Sequence, residues 1–384
     1  MTAEVDRSPF AELPAGLVEE VLGQATAAGD RLIASIRQAK EDRERYRKTL
    51  LERGMLQHES TVGFPSLPTT CGVDGSYAIE RLLTADLCAA AAVAVEGLTP
   101  PSEKRHWSQP HHFVYVAIEE HHAETATVLR AVMLGRELLL AGRAPHDIVM
   151  LDMTLTLPII YLNQALNQAP ETPSLQCSQE FLAHCVEYLD AYLTVLRADR
   201  SDRQFIGLPK YSTRRELGHV LGWSAHHDDR GLLSLLLQSG ELTRPMPLEQ
   251  PHQPWHLNTL GLGAELRGQA DRLAAEIANA LEHVYVVYYK PHDWLPAVRV
   301  EMPQGVALNR HRLATVIQGL KHQCASPGIL EPYPVYLADR MAKAAARAMP
   351  AFRQVATQRV AEEYEGDLAD VFFAMHGYRS EVGG

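Results

Sequence analysis

Residues 71–98 read CGVDGSYAIERLLTADLCAAAAVAVEGL, and this stretch decides the fold. It begins as a short apolar strand, offers a turn at Asp74-Gly75-Ser76, and continues into a second strand built almost wholly of Ala, Val, Leu and Cys. Asp-Gly pairs favour turns, and short apolar runs between turn residues favour buried strands. FVYVAI (113–118) supplies a third strand through its aromatic and β-branched content. His121 to Ala141 then places apolar residues at helical spacing, and DIVMLDMTLTL (147–157) returns to a buried strand with an acid, Asp152, in its middle. Strands separated by helices in this way predict a mixed α/β sheet.

Further along, residues 175–200 read as a helix, and QFIGLPKYST (204–213) as a short strand ending in Lys210. Residues 214–280 look mainly helical around a loop rich in Pro and His at 243–255. HVYVVYYKPHDWLPAVRVEM (283–302) alternates like a hairpin, 312–321 is a helix, and GILEPYP (328–334) is a proline-broken turn into the last long helix. Towards the N-terminus, 15–53 is helical and carries the most basic stretch, with Arg37, Lys40, Arg43, Arg45, Arg47, Lys48 and Arg53. The expected organisation is a helical arm over 1–60, a main domain over 61–345 with a helical insert at about 212–280, and a helical extension over 346–384.

At 384 residues, 46% hydrophobic and 22% charged, the chain has the composition of a folded globular protein. Its 36 basic and 47 acidic residues give a net charge of −11, which argues against a basic nucleic-acid coat but not against an enzyme with a local basic groove. Five cysteines, widely spaced and without a CxxC pair, fit free thiols in a reducing compartment. No apolar run reaches the ~18–20 residues of a membrane helix, and MTAEVDRSPFAEL lacks the pattern of a secretion signal. The expectation is a cytoplasmic protein with no membrane association.

Three acids stand out. Asp74 ends an apolar strand and is followed by Gly, which permits close approach of backbone to a ligand. Asp152 interrupts a buried run, where a carboxylate is costly unless paired or metal-bound. Glu137 lies on an otherwise apolar helix, with Glu124 as a rival for the same role. Carboxylates on adjacent elements suit hard cations such as Mg²⁺ or Mn²⁺, one or two of which can activate water and stabilise a leaving oxygen on phosphorus. The histidine pairs 111–112, 121–122 and 226–227 suggest a zinc hydrolase as another reading, but none has the spacing of a helical zinc motif.

The order GVDGS (72–76), an acidic helix residue, IVMLD (148–152), FIGLPK (205–210), DRGLLSLLLQSGE (229–241), a hairpin ending in RVEMP (299–303) and EPYPVYLADRMAK (331–343) resembles the NurA nucleases. The resemblance runs from about Cys71 to about Ala344. It implies an RNase H-like mixed sheet flanked by helices, with helical insertions and terminal helices. It further implies metal-dependent cutting of DNA, on single strands or from ends, by a homodimer docked to a hexameric HerA-type ATPase. Carried over, Asp74, Glu137 and Asp152 match the metal carboxylates, Lys210 the lysine after a strand, and Tyr333 the tyrosine of a C-terminal motif. Three positions depart from the family pattern: Met153 and Thr154 replace Gly-Ser after the strand acid, and Asp339 stands where a histidine is usual. Asp339 is thereby a further candidate ligand, and a weak or inactive dimeric subunit that binds the ATPase and DNA is the alternative function. Arg43, Arg47, Lys48, Arg340 and Lys343, on the basic helix and the last long helix, are the candidate DNA-binding residues. DNA repair by end resection and antiviral defence both remain open as roles.

Overall fold

The computed structural model describes residues 13–212, 214–223 and 228–383. The chain divides into two compact units, 1–55 and 56–384. In the first, the helical stretch expected over 15–53 is two helices, α1 (Ala15–Glu41) and α2 (Arg43–Glu52), joined at Asp42, whose carboxylate pairs with Arg45 at 2.7 Å.

The second unit opens with β1 (Leu56–His58) and α3 (Glu59–Val62), followed by an antiparallel meander of β2 (Thr70–Leu82), β3 (Asp86–Glu96) and β4 (His111–Glu119). Helix α4 (Thr125–Arg143) crosses to β5 (Ile148–Leu151), and α5 (Leu157–Gln168) and α6 (Gln176–Arg197) lead to β6 (Gln204–Gly207). Short helices α7 (Glu216–Leu221) and α8 (Asp229–Leu236) precede β7 (Glu241–Thr243), β8 (Met246–Pro247) and α9 (Ala264–Leu281). The expected hairpin is β9 (Val284–Tyr289) and β10 (Val298–Pro303). Then come α10 (Gln304–Ala307), α11 (Arg310–Gln323), α12 (Tyr333–Arg347), α13 (Met349–Glu363), α14 (Leu368–Ala374) and β11 (Gly377–Gly383).

The strands form one sheet in the order β4-β3-β2-β5-β6-β10-β9-β7-β1, with β11 on β2 and β8 on β9. Among the described residues, the parallel pairs are β2 with β5 and β5 with β6. Their position explains the composition of β5: Ile148, Val149, Met150 and Leu151 are buried on both faces, as central parallel strands are. The first five strands, β4-β3-β2-β5-β6, have the order and directions of an RNase H-like core. Among the described residues, no helix is long and apolar enough to cross a membrane.

Successive residues of a strand face opposite sides of the sheet, and two glycines of β2 let a helix approach on each side. A Cβ at Gly72 would lie 2.3 Å from the carbonyl carbon of Pro334, so the start of α12 rests on one face. A Cβ at Gly75 would lie 2.8 Å from the Met133 side chain, so α4 covers the other face. The alanines of β3 serve the same closeness, since α4 and α12 both pack on that strand.

Several expectations are corrected here. Asp74-Gly75-Ser76 is no turn: β2 runs straight through it, paired with Val93, Ala92 and Ala91, and the reversal falls at residues 83–85. Gly75 is a strand residue because α4 fills the space its side chain would take. The strand around Asp152 stops at Leu151, since Thr154 and the Leu155 amide are drawn to the Glu301 carboxylate, at 2.6 and 2.9 Å. The insert at 212–280 is not purely helical, because β7 and β8 extend the sheet. The extension after 346 likewise ends in a strand, which pairs with residues 77–82 of β2.

Substituting Gly72→Ala sets a methyl group against main chain that no rotamer change can move. We expect a loss of ~1–3 kcal/mol, the range for overpacking a close contact, read as a lower urea midpoint with an unchanged slope.

Candidate metal centre

The parallel pairing of β2, β5 and β6 ends at one level. Val73 pairs with Leu151 and Leu151 with Gly207. The Asp152 amide donates to the Val73 carbonyl at 3.2 Å, and the Leu208 amide to that of Leu151 at 2.9 Å. The next residues, Asp74, still in β2, and Asp152, just past β5, therefore lie side by side, and Lys210 follows after the third strand. Helix α12, laid on Gly72, brings Asp339 to the same place. One carboxylate oxygen from each of Asp74, Asp152 and Asp339 lies within 4.8 Å of the others, the one such cluster among the described residues. The Lys210 ammonium sits among the acids, 2.7 Å from Asp152, 3.0 Å from Glu331 and 3.4 Å from Asp339. Lys343, one helical turn beyond Asp339, holds the same Asp339 oxygen at 2.6 Å.

Crowding acids out of water raises their pKa values. Burial, then the charge of Asp152, pushes Asp74 up to about 8, although its oxygen accepts the Gly75 amide at 2.9 Å. Burial raises Asp152 to about 6, with Lys210 pulling the other way. For Asp339, burial is outweighed by Lys343 and Lys210, and its carboxyl stays below the ordinary value. Burial also works against the Lys210 cation, but Asp152 and Glu331 outweigh it and hold its pKa above that of a free lysine. These are hard oxygen donors with more negative charge than two lysines cancel, a set that fits a divalent cation of the Mg²⁺ or Mn²⁺ kind.

Glu137 stands apart from the oxygen cluster. It approaches from the opposite face of the sheet, where a Cβ at Gly75 would strike its carboxylate. Burial, followed by the charges of Asp74 and Asp152, drives its pKa well above the usual carboxylate range. Its rival, Glu124, precedes α4 and lies ~20 Å along the helix from it, at ~1.5 Å per residue. Tyr333 is half-buried and opens α12, beside the main chain that rests on Gly72.

Of the basic candidates, Lys343 is engaged with Asp339, and Arg340 packs over Tyr336 and donates to its hydroxyl at 3.0 Å. Arg43 and Lys48 are exposed on α2, with Lys48 3.7 Å from Glu52, and Arg47 is half-buried there. The histidines make local bonds: His121 meets Asp86 at 2.7 Å, and His122 accepts the Glu124 amide at 3.1 Å. His111 stacks on Trp107. The 226–227 pair lies outside the described residues.

Sequence reasoning gave no role to the support beneath Asp152. Arg299 is completely buried in β10. It donates to both Glu216 oxygens, at 2.8 and 2.7 Å, and to Glu301 at 2.9 Å. The other Glu301 oxygen holds Thr154 and Leu155, so a chain of charge-assisted bonds runs from α7 to the loop that carries Asp152. The signal was two charges on one face of an otherwise apolar strand, in RVEMP.

With this geometry in hand, the sheet and site define an RNase H-like protein carrying an acidic centre where the parallel pairing of its strands ends. The NurA domain model matches residues 68–344, well over half of the sequence, and the chain belongs to the NurA family. The crystal structure of the NurA nuclease from Sulfolobus solfataricus is similar, with a TM-score of 0.59 at 11% identity over 90% of this chain and 98% of that one. A crystal structure of NurA with manganese gives 0.51 at 11% identity, over 88% and 99% of the two chains. None of the curated proteins matches the sequence.

The buried network makes a pH-dependent contribution to stability. Burial raises the pKa of Glu216, but Arg299 outweighs it, so the folded value lies below the ordinary 4.5. Stability from this pair is thus complete above the unfolded pKa and fades as pH falls through the folded one. We expect Glu216→Gln to cost ~3 kcal/mol at pH 7, the low end for breaking a buried pair because Glu301 still faces Arg299. In urea titrations at decreasing pH, the gap between wild type and variant should close below the carboxylate range.

Proposed function

We propose that this protein is a divalent-metal-dependent deoxyribonuclease acting on single strands or DNA ends. The observation that carries the reading is the meeting of Asp74, Asp152 and Asp339 around Lys210 where the parallel pairing ends. Family membership and the likeness to a NurA nuclease and to NurA with manganese support it.

In this reading Asp74, Asp152 and Asp339 hold one or two Mn²⁺ or Mg²⁺ ions, with Glu137 behind Gly75 as a further carboxyl on the far face, which a bound cation would favour in its ionised form. Such ions, when bound, polarise phosphate oxygens and supply hydroxide at neutral pH. The Lys210 ammonium, held charged among its acids, neutralises a non-bridging phosphate oxygen as negative charge builds there. Tyr333 orients the strand or water through its hydroxyl. Glu301 fixes the loop of Asp152, so the carboxylate need not be ordered when substrate arrives. Arg43, Arg47, Lys48, Arg340 and Lys343 contribute phosphate contacts.

The net charge of −11 leaves a free chain poorly suited to hold DNA, since phosphate contacts dominate affinity. We place it as a homodimer fed by a HerA-type hexameric ATPase, which would raise the effective concentration of DNA at the site. Family resemblance supplies this partner. A second reading, a DNA-binding subunit with weak or no catalysis, is favoured by Asp339 at the family's histidine position, because a carboxylate cannot donate as an imidazolium does.

Labelled single- and double-stranded DNA separates the two. Wild type should cut in Mn²⁺ and stop on chelation, and Asp74→Asn should lose cleavage. Lys210→Met should lower kcat ~10²–10³-fold, as removal of a charge-stabilising donor does, with DNA affinity little changed. A wild type that binds DNA and never cuts it, with or without the ATPase, establishes the second reading. Light scattering, alone and with the ATPase, tests the assembly.

A further inference from the structure

Lys210 turns inward to the acids, and the next residue turns outward. Tyr211 is 94% exposed, the most exposed large hydrophobic side chain among the described residues. A lone surface tyrosine needs no explanation, but this one is presented by fixed main chain. The Arg230 guanidinium donates to the Lys210 carbonyl and, at 3.0 Å, to that of Ala297. On the other side, Arg214 donates to the Glu249 carbonyl at 2.6 Å, and its amide to the Ser212 hydroxyl at 3.1 Å.

Beside the ring is an open cavity of about 290 Å³ lined by Thr154, Pro209, Tyr211, Ser212, Arg214 and Glu301. It begins two residues from Asp152 and one from Lys210. Its walls are a phenol ring, a proline ring, hydroxyls, a guanidinium and a carboxylate already neutralised by Arg299. This is a surface for a flat, polar-edged ring. The cavity shares Thr154 and Pro209 with the segments that carry Asp152 and Lys210, so a strand with a phosphate at Lys210 runs on past the ring of Tyr211.

We propose that Tyr211 and this cavity form a nucleobase subsite, in which the ring stacks on a base of the single strand whose phosphate sits at Lys210. Stacking on an aromatic ring suits every base, so the subsite orders a strand without selecting its sequence. The inference rests on the nucleic-acid reading of the site but not on catalysis.

The test is binding of a fluorescent single-stranded oligonucleotide carrying 2-aminopurine, with Ca²⁺ replacing Mn²⁺. Tyr211→Ala should weaken binding about 5- to 150-fold, the effect of losing one stacked base, and relieve the quenching of 2-aminopurine. Tyr211→Phe and Tyr211→Trp should keep both, because the ring rather than the hydroxyl acts. On an abasic oligonucleotide, wild type and Tyr211→Ala should bind alike. The exposed position predicts an unchanged melting temperature, so loss of fold is separately visible. Equal affinity of wild type and Tyr211→Ala, or an equal loss on abasic strands, overturns the subsite. Cleavage in Mn²⁺ without dependence on Tyr211 overturns the subsite and leaves the nuclease reading standing. Tyr211-dependent binding without cleavage does the reverse, and no binding of DNA, alone or with the ATPase, overturns both.

Discussion

Everything about the site follows from the parallel pairing of three strands stopping at the same level. Because Val73, Leu151 and Gly207 are in register, whatever residue comes next on each strand must share one small volume with the others. On two of the strands that residue is an acid. Side by side in a setting mostly closed to water, two carboxylates repel, and the fold holds them together only because the packing elsewhere over-determines the strands. A third acid on α12 adds to the strain, and Lys210 and Lys343 offset part of it. The outcome is a centre poised to accept positive charge, built by sheet geometry rather than by a flexible loop.

The cost of this arrangement is spread through the surrounding structure. Glycines at 72 and 75 let helices press on both faces of β2 at the level of Asp74. Register with β5 stops at Val73, and among the described residues β11 rejoins the same edge at Tyr77, so Asp74 stands in the interval between two ladders. Beneath Asp152, the buried Arg299 binds two glutamates and so fixes a loop from the far side of β6. Charge pairs of this sort add little net stability against an apolar core, but they fix geometry, and one partner cannot be removed without leaving a buried charge.

Much of the core was legible because its signals are local. β3, β4, β5 and the β9–β10 hairpin are continuous or alternating apolar runs, and α4 and α6 have clear helical spacing. Asp152 was legible because an acid in IVMLD has no bland surroundings. What could not be read depends on contacts far apart in sequence. Asp-Gly looks like a turn until α4 is known to lie over Gly75, and the end of β5 is set by Glu301, almost 150 residues away. Glu137 was marked by its isolation on an apolar helix, but the face of the sheet it approaches is a matter of topology. Glu331 carried no marker in EPYP, and its contact with Lys210 comes from the way α12 lies across β2.

The placement of α12 and β11 on β2 also orders events during synthesis. Asp74 leaves the ribosome early, with β3 and β4 close behind, whereas Asp339 follows only after more than half of the chain has been made, and β11 later still. A nascent chain can assemble the meander and crossover helix at once, yet its acidic centre lacks one wall until the last helices dock. In such a chain, ligand-binding competence is acquired late, and a truncated product would keep most of the sheet while losing the helix that closes the site.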